Sequence, residues 1–443
     1  MKRVAFYTLG CKVNQYETEA MTEIFEKAGY SEVGFDEKAE IYIINTCTVT
    51  NLSDRKSRQV IRRAKKTNED SKIIVMGCYA QTSPQEVASI PGVNLVLGTK
   101  DRLNIMEYIK KLESGRDVKL NVVGDIMAVK DFEPLNVECY KERTRAFLKI
   151  QEGCSQFCSY CIIPYARGPI RSRPPEDIFN EVRRLADFGF KEVVLTGIHV
   201  ASYGKDFITK AMHSERVLLL DIIKKVHEIV GIERIRLGSL EPTTITAEFV
   251  KVAKTLPKLC PHYHISLQSG CDMTLKRMNR KYDTMEYESV VKRLRDNIKD
   301  VNITTDVMVG FPGETETEFE QTLKYLKHIE FSSMHVFKYS PRKGTPAAKF
   351  EGQVAPEKKE ERSKLILSLS EQNTTKFNNS ILGRDFPVLF EHETKTNKGY
   401  YEGFTPNYLK VVCRGTNEIK GRIINVRMDK VSGEIIEGSF KSE

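Results

Sequence analysis

The sequence predicts a multidomain α/β chain with an all-β ending: an N-terminal open parallel α/β sheet, a central partial (β/α)6 barrel and a small C-terminal β-barrel. Three observations predict it. Short apolar, β-rich runs alternate with helical patterns from residue 3 to about residue 339. A polar, irregular stretch at 114–144 interrupts that alternation. Beyond about residue 382 only short runs remain, broken by Gly, Asn and Pro. A chain of 443 residues exceeds one ordinary core, and the breaks divide it near 1–135, 140–375 and 380–443.

In the first segment, Arg3–Leu9, Ile41–Thr46, Ile73–Gly77 and Leu95–Leu97 read as strands. Asn14–Ala28, Asp54–Lys66, Pro84–Ser89 and Leu103–Leu112 fit the intervening helices. This βαβ series gives a small parallel sheet with helices on both faces. Residues 114–144 read as a linker. The central strands are Ala146–Gln151, Glu192–Thr196, Arg234–Gly238, His262–Leu267, Asn302–Val309 and Met334–Tyr339. Helices Pro175–Phe188, Leu218–Ile229, Tyr282–Ile298 and Thr315–His328 lie between them. Six units without a seventh or eighth make an open barrel, whose chemistry belongs at the C-terminal ends of the strands. Lys358–Phe377 is one more helix. The strands Asp385–Phe390, Tyr400–Thr405, Tyr408–Cys413, Gly421–Asp429 and Glu434–Phe440 then close a small barrel.

The chain is 40% hydrophobic and 29% charged, as soluble globular proteins are. No apolar run approaches the roughly 20 residues that span a bilayer. Met-Lys-Arg-Val-Ala-Phe-Tyr leads directly into a strand without a signal-peptide core, so a cytoplasmic protein is expected. Ten cysteines are too few for a disulfide scaffold and read as metal ligands or catalysts. The net charge of +9 suits a polyanion such as RNA, and equally a mildly basic enzyme.

Cys154, Cys158 and Cys161 are spaced C-x3-C-x2-C directly after a strand. One short loop presents three thiolates, one fewer than closes a zinc site or an iron–sulfur cluster. Cys11, Cys47 and Cys78 each follow a parallel strand, where the carboxyl ends of neighbouring strands line one crevice. Three thiols at three strand ends converge there, unless they are buried structural cysteines. Cys139, Cys260, Cys271 and Cys413 lack either arrangement and read as packed or incidental.

The C-x3-C-x2-C loop resembles that of the radical S-adenosylmethionine (SAM) enzymes. Over essentially all of its length the chain is similar to the radical-SAM methylthiotransferases. The strings that carry the resemblance are Thr8–Glu19, Asn45-Thr-Cys47-Thr-Val-Thr50, Gly77-Cys78-Tyr-Ala-Gln81 and Cys154–Arg173. The resemblance implies two [4Fe–4S] clusters, one on each cysteine triad, a radical-SAM barrel and a C-terminal RNA-binding barrel of the TRAM type. It also implies a tRNA anticodon stem-loop as partner, with an electron donor and a sulfur donor. Lys12-Val13 and Glu17-Thr18, with Phe157 and Pro164-Tyr-Ala-Arg-Gly168, are similar to the class acting on N6-threonylcarbamoyladenosine 37 of tRNA. Two other classes act on N6-isopentenyladenosine 37 and on a ribosomal-protein aspartate. A noncatalytic iron–sulfur RNA-binding protein and a zinc protein are readings from other classes.

The implied reaction adds a methylthio group to C2 of the adenine. That C–H bond is strong and nonacidic, so it calls for a radical rather than acid–base chemistry. In the family, the Cys154/Cys158/Cys161 cluster reduces SAM, and Cys11, Cys47 and Cys78 hold the catalytic sulfur-carrying cluster. SAM contacts are expected from Thr196 and Gly197, Ser239 and Glu241, Gln268, and Gly310 at successive strand ends. The alternative for Ser239 and Glu241 is a capped turn, and Gly310 and Gly313 read equally as plain turn glycines. Arg277 and Arg280 suit a SAM carboxylate or a phosphate, or else a solvated helix face.

Arg55–Lys66 carries seven basic residues and no acidic one. On a helix, Val60, Ile61 and Ala64 face the core and the cations face outward, toward phosphates or simply solvent. Residues 380–443 hold ten Lys/Arg against nine Asp/Glu, so charge gives that barrel no RNA signal. Tyr400, Tyr401, Phe404 and Tyr408 either stack bases or fill its core.

Overall fold

The computed structural model describes residues 2–114, 119–137, 144–207 and 217–440. Strands β1 (Arg3–Thr8), β2 (Ser31–Glu32), β3 (Ile41–Thr46), β4 (Lys72–Gly77), β5 (Val93–Val96) and β6 (Leu120–Asn121) form one parallel sheet in the order β2-β1-β3-β4-β5-β6. The inner strands are apolar on both faces because helices cover both. Ile43 joins helices Lys12–Lys27 and Ile105–Glu113 in one core, while Tyr42 and Ile44 pack with Asn51–Thr67 in another.

The expected linker differs from the structure in its described part. Leu120–Asn121 extends the sheet beside β5. Ile126, Leu135 and Val137 are buried, and the Tyr16 hydroxyl donates to the Leu135 carbonyl. Scattered apolar residues in a polar stretch have no periodicity to announce them, yet each fills a gap between the first two segments. Cys139 lies outside the described residues.

The central segment places β7 (Arg145–Glu152), β8 (Arg171–Ser172), β9 (Glu192–Gly197) and β10 (Arg234–Leu237) in the order β10-β9-β7-β8. The two-residue β8, antiparallel to β7, is an addition to the expected alternation. Strands β11 (His262–His264), β12 (Asn302–Val309) and β13 (Ser333–Lys338) form a second parallel sheet. Isolated parallel bridges, Ile235 to Leu259 and Leu240 to Ile265, carry it alongside β10. One hydrophobic core runs from the N-terminal sheet through helix Lys12–Lys27 into these strands.

Strands β14 (Asp385–Glu393), β15 (Tyr400–Phe404), β16 (Lys410–Arg414), β17 (Ile423–Ser432) and β18 (Ile435–Phe440) form a closed barrel, β14-β15-β16-β18-β17. Closure removes the free edges that five short strands would expose. The barrel docks on the N-terminal ends of the central strands. Arg234 donates to the carbonyls of Phe404 and Pro387, and Arg236 to that of Pro406. Tyr408, at φ 67°, stacks on Phe404 with ring centres 4.9 Å apart. Arg145 and Arg236 lie over that Tyr408 ring, and His262 packs against it. Phe404 and Tyr408 therefore hold domains together, and Tyr401 fills the barrel core. Of the four aromatic candidates for base stacking, Tyr400 alone is exposed. No helix among the described residues is long and apolar enough to cross a membrane.

Beneath this interface Glu192 is fully buried and bound by Arg236 through both oxygens, at 2.7 and 3.2 Å. Removing one partner of a buried pair leaves an uncompensated charge. Arg236→Ala is expected to destabilise the protein by about 3 kcal/mol and to expose the C-terminal barrel to protease. Denaturant unfolding and limited proteolysis check this; an unchanged midpoint contradicts it.

Candidate active site

Cys11, Cys47 and Cys78 follow β1, β3 and β4, which are adjacent in the sheet. Cys11 caps helix Lys12–Lys27 and is exposed; Cys47 and Cys78 are buried. The loops are pressed together: a Cβ on Gly10, at φ 103°, would lie 3.1 Å from the Cys47 Sγ. Gly77, at φ 95°, has no room for a Cβ either, since one would lie 2.6 Å from the Thr46 carbonyl oxygen. Only glycine accepts such a backbone without strain. Buried Asn14 stitches two loops by donating to the Leu9 and Thr46 carbonyls at 2.7 and 3.1 Å. The Thr46 hydroxyl donates to the Met76 carbonyl and accepts from the Ala80 amide, tying in the third. Burial pushes the Cys78 thiol up to about 12; Arg167 opposes, and Cys47 and Cys11 add to the rise.

The second triad hangs from the end of β7. The Cys154 amide donates to the Gly168 carbonyl and the Cys161 amide to that of Cys158. Ser159 pins the loop between neighbours: its amide donates to Met278, its hydroxyl to Arg277, and its carbonyl accepts from Ala347. Phe157, at φ 49°, has its carbonyl held by Asn279. Burial pushes Cys161 up to about 12 and Cys154 to about 11, with Cys158 adding to both. Both triads offer soft sulfur donors alone, set on adjoining loops with mutual electrostatic influence. That donor set fits an iron–sulfur cluster at each.

One arginine stands at each triad. Arg280 reaches the Cys158 Sγ at 3.3 Å while paired with Glu241 at 2.9 Å and bound to the Tyr282 hydroxyl. Arg167, which ends the short helix after Cys161, reaches the Cys78 Sγ at 3.2 Å. Its remaining nitrogens meet Glu17 at 2.5 Å, Glu152 at 2.8 Å and the Asn14 Oδ1 at 2.6 Å. Glu17 also pairs with Arg102 at 2.5 Å and Lys149 at 3.3 Å. Burial alone would raise the Glu17 carboxyl, but Arg102, Arg167 and Lys149 hold it down at about 2.

The expected SAM contacts gather at the strand ends. Thr196 and Gly197 end β9 beside Lys149 and Gln151 of β7. Ser239 is exposed after β10, and Glu241 joins the second triad through Arg280. Gln268, at φ 71°, takes the Asp306 carbonyl with its amide and gives its own carbonyl to Met308. The Gly310 amide donates to Glu314, which is paired with Arg362, so this turn is closed by its own chain. Arg277 and Arg280 separate in role. Arg277 is clasped by both oxygens of Glu318 at 2.8 and 2.7 Å, and Arg280 faces the thiols. Cys260, Cys271 and Cys413 are buried.

Sequence reasoning assigned no role to Arg167, His199 or the group His264, Asp306 and His335. His199 approaches Glu241 at 3.6 Å. His264 and His335, on β11 and β13, reach Asp306 on β12 at 3.0 and 3.4 Å. The alternation of β12, with Thr304, Asp306 and Met308 on its less buried side, was the available signal. The basic helix Asn51–Thr67 turns Val60, Ile61 and Ala64 inward as expected. Arg58 pairs with Glu86 and Arg63 with Asp36, whereas Arg55, Lys56, Arg62 and Lys66 form no ion pair among the described residues.

Residues 148–326 match the radical SAM superfamily, and residues 3–98 match the uncharacterized protein family UPF0004. The chain is 44% identical over 442 residues to the threonylcarbamoyladenosine tRNA methylthiotransferase MtaB of Bacillus subtilis (strain 168), covering 99% of this chain and 96% of that protein. It is 39% identical to the protein of the same name from Aquifex aeolicus (strain VF5), covering 96% and 99%. The tRNA-2-methylthio-N(6)-dimethylallyladenosine synthase of Desulforamulus reducens (strain ATCC BAA-1160 / DSM 100696 / MI-1) is 33% identical, covering 97% and 94%. Among solved structures, the radical S-adenosylmethionine methyltransferase TsrM of Kitasatospora setae shares the fold. It aligns with a TM-score of 0.57 at 15% identity and 77% coverage of each chain.

Fold and cysteine loop define a radical-SAM enzyme, which implies a [4Fe–4S] cluster and SAM. Full-length similarity is more specific: the chain belongs to the radical-SAM tRNA methylthiotransferases.

Hydrogen bonds to cluster sulfurs help set a cluster's potential, and a cation there favours the reduced form. Arg280→Ala, made in a chain whose Cys11, Cys47 and Cys78 are alanine, is therefore expected to lower the midpoint potential of the remaining cluster. A redox titration followed by electron paramagnetic resonance checks this; an unchanged potential contradicts it.

Proposed function

We propose that this enzyme adds a methylthio group to C2 of N6-threonylcarbamoyladenosine at position 37 of tRNA. The observation that carries the reading is full-length similarity of 44% to a relative named for that nucleoside, against 33% for one named for the dimethylallyl nucleoside. The two cysteine triads at the ends of two sheets support it. In this reading 1–135 is the methylthiotransferase domain, 140–375 a six-unit radical-SAM barrel and 380–443 a TRAM-like domain. The enzyme works in the cytoplasm on the anticodon stem-loop, drawing on separate electron and sulfur donors.

Cys154, Cys158 and Cys161 would hold one [4Fe–4S] cluster, the one that meets SAM, and Cys11, Cys47 and Cys78 would hold a second. When bound, these groups supply the one-electron chemistry and the sulfur that a strong, nonacidic C–H bond requires. The protein's part is placement. Arg280 orients Cys158 and Glu241 together, and Glu241, Ser239, Thr196 and Gly197 line the SAM side. Gln268 and Gly310 shape the adjoining turns, while Arg277 positions the loop through its carbonyl on Ser159. Arg55, Lys56, Arg62 and Lys66, on the helix that follows Cys47, meet RNA phosphates. Adenine 37 is unpaired in its loop, so reaching C2 takes local splaying rather than duplex opening.

Nucleoside mass spectrometry of tRNA from a strain lacking the gene is expected to show loss of the 2-methylthio form and accumulation of N6-threonylcarbamoyladenosine. Unchanged tRNA overturns the reading. Replacing either triad with alanine is expected to remove roughly half the iron of the reconstituted protein. The variant lacking Cys11, Cys47 and Cys78 should still yield 5′-deoxyadenosine from SAM while leaving tRNA unmodified. Full iron content in either variant contradicts the two-cluster assignment.

A further inference from the structure

Lys12 adjoins the cluster ligand Cys11 and reaches into the central domain, 5.8 Å above the Phe147 ring of β7. It lies within electrostatic range of Tyr408 of the C-terminal barrel, Arg145 on β7, Glu192 on β9, Arg236 on β10, His262 on β11 and His335 on β13. A charge within reach of groups on five strands sits inside the curve they form. The residue is half-buried, and it makes neither an ion pair nor a hydrogen bond among the described residues.

The nearby carboxylates are already taken. Glu192 is bound by Arg236, with Arg234 at 3.7 Å and Arg145 at 4.0 Å, and Glu391 pairs with Arg145. Four cations (Lys12, Arg145, Arg234 and Arg236) thus stand against two carboxylates, and among the described residues Lys12 is the one of the four with no carboxylate within ion-pair distance. A half-buried cation without a carboxylate partner calls for an anionic ligand.

Adenine presents N6 and C2 on one edge, on either side of N1. Whatever delivers sulfur to C2 therefore stands beside the substituent on N6. In threonylcarbamoyladenosine that substituent ends in a carboxylate, and Lys12 is next in sequence to a ligand of the sulfur-carrying cluster. We propose that the Lys12 ammonium receives the threonyl carboxylate of the substrate and so selects this nucleoside over those with uncharged N6 groups. The assignment rests on the proposed reaction.

The test uses holoenzyme and two anticodon stem-loop RNAs, one bearing the threonylcarbamoyl group and one with its carboxylate converted to the primary amide. Wild-type enzyme is expected to show a KM about tenfold higher for the amide, with a similar kcat, as for loss of one charge-assisted contact. Lys12→Gln should raise the KM for the acid about tenfold and bring the acid-to-amide ratio near one, while Lys12→Arg keeps the preference. Equal use of both RNAs by wild-type enzyme overturns the assignment alone, whatever the folding of the variants. So does a Lys12→Gln enzyme that keeps the wild-type ratio. Wild-type enzyme that cleaves SAM but modifies neither RNA overturns the proposed reaction, and the assignment with it.

Discussion

The guanidinium of Arg167 is the contact on which the rest of the site depends. It is fully buried, and its five donors are shared among the Cys78 sulfur, Glu17, Glu152 and Asn14. Glu17 belongs to the N-terminal domain's first helix and Glu152 to the first strand of the central domain. Charges buried this deeply cost several kcal/mol each unless every partner is in place. The two domains therefore have one relative position in which the network is complete. That position sets the cysteine loop after β7 beside the strand ends that carry Cys11, Cys47 and Cys78.

The network's charges also bear on the thiol it touches. Arg102, Lys149, Arg167 and Arg171 surround Glu17, Glu133 and Glu152, four cations against three carboxylates. The surplus faces the Cys78 sulfur, where thiolate charge collects when metal displaces the proton. Glu241 and Arg280 repeat the device at Cys158 on a smaller scale. At the other end of the strands the C-terminal barrel closes the floor with Tyr408, Arg236 and Glu192.

Much of this was readable in the chain. Strand runs such as Ile41–Thr46 and Asn302–Val309 match observed elements because buried parallel strands are apolar and helices separate them. The cysteine triads were readable because each cysteine sits at a strand end or within one short loop. Arg167 was not. It lies inside a recognised string, but its partners Glu17, Glu152 and Asn14 are remote in sequence, and a lone arginine has no period. Phe404 and Tyr408 misled for a related reason: an aromatic residue looks the same whether it meets a base or a neighbouring domain. The polar run at 114–144 hid Leu135 and Val137, whose burial depends on surfaces formed elsewhere.

The central claim is that two cysteine triads, fixed relative to each other through Arg167, hold two clusters. Anomalous diffraction at the iron edge from anaerobically reconstituted crystals tests it directly. Two iron sites are predicted, one bonded to Cys11, Cys47 and Cys78 with the Arg167 guanidinium against Cys78, the other bonded to Cys154, Cys158 and Cys161. A single iron site, or two with Cys78 unligated and Arg167 turned away, would contradict the account.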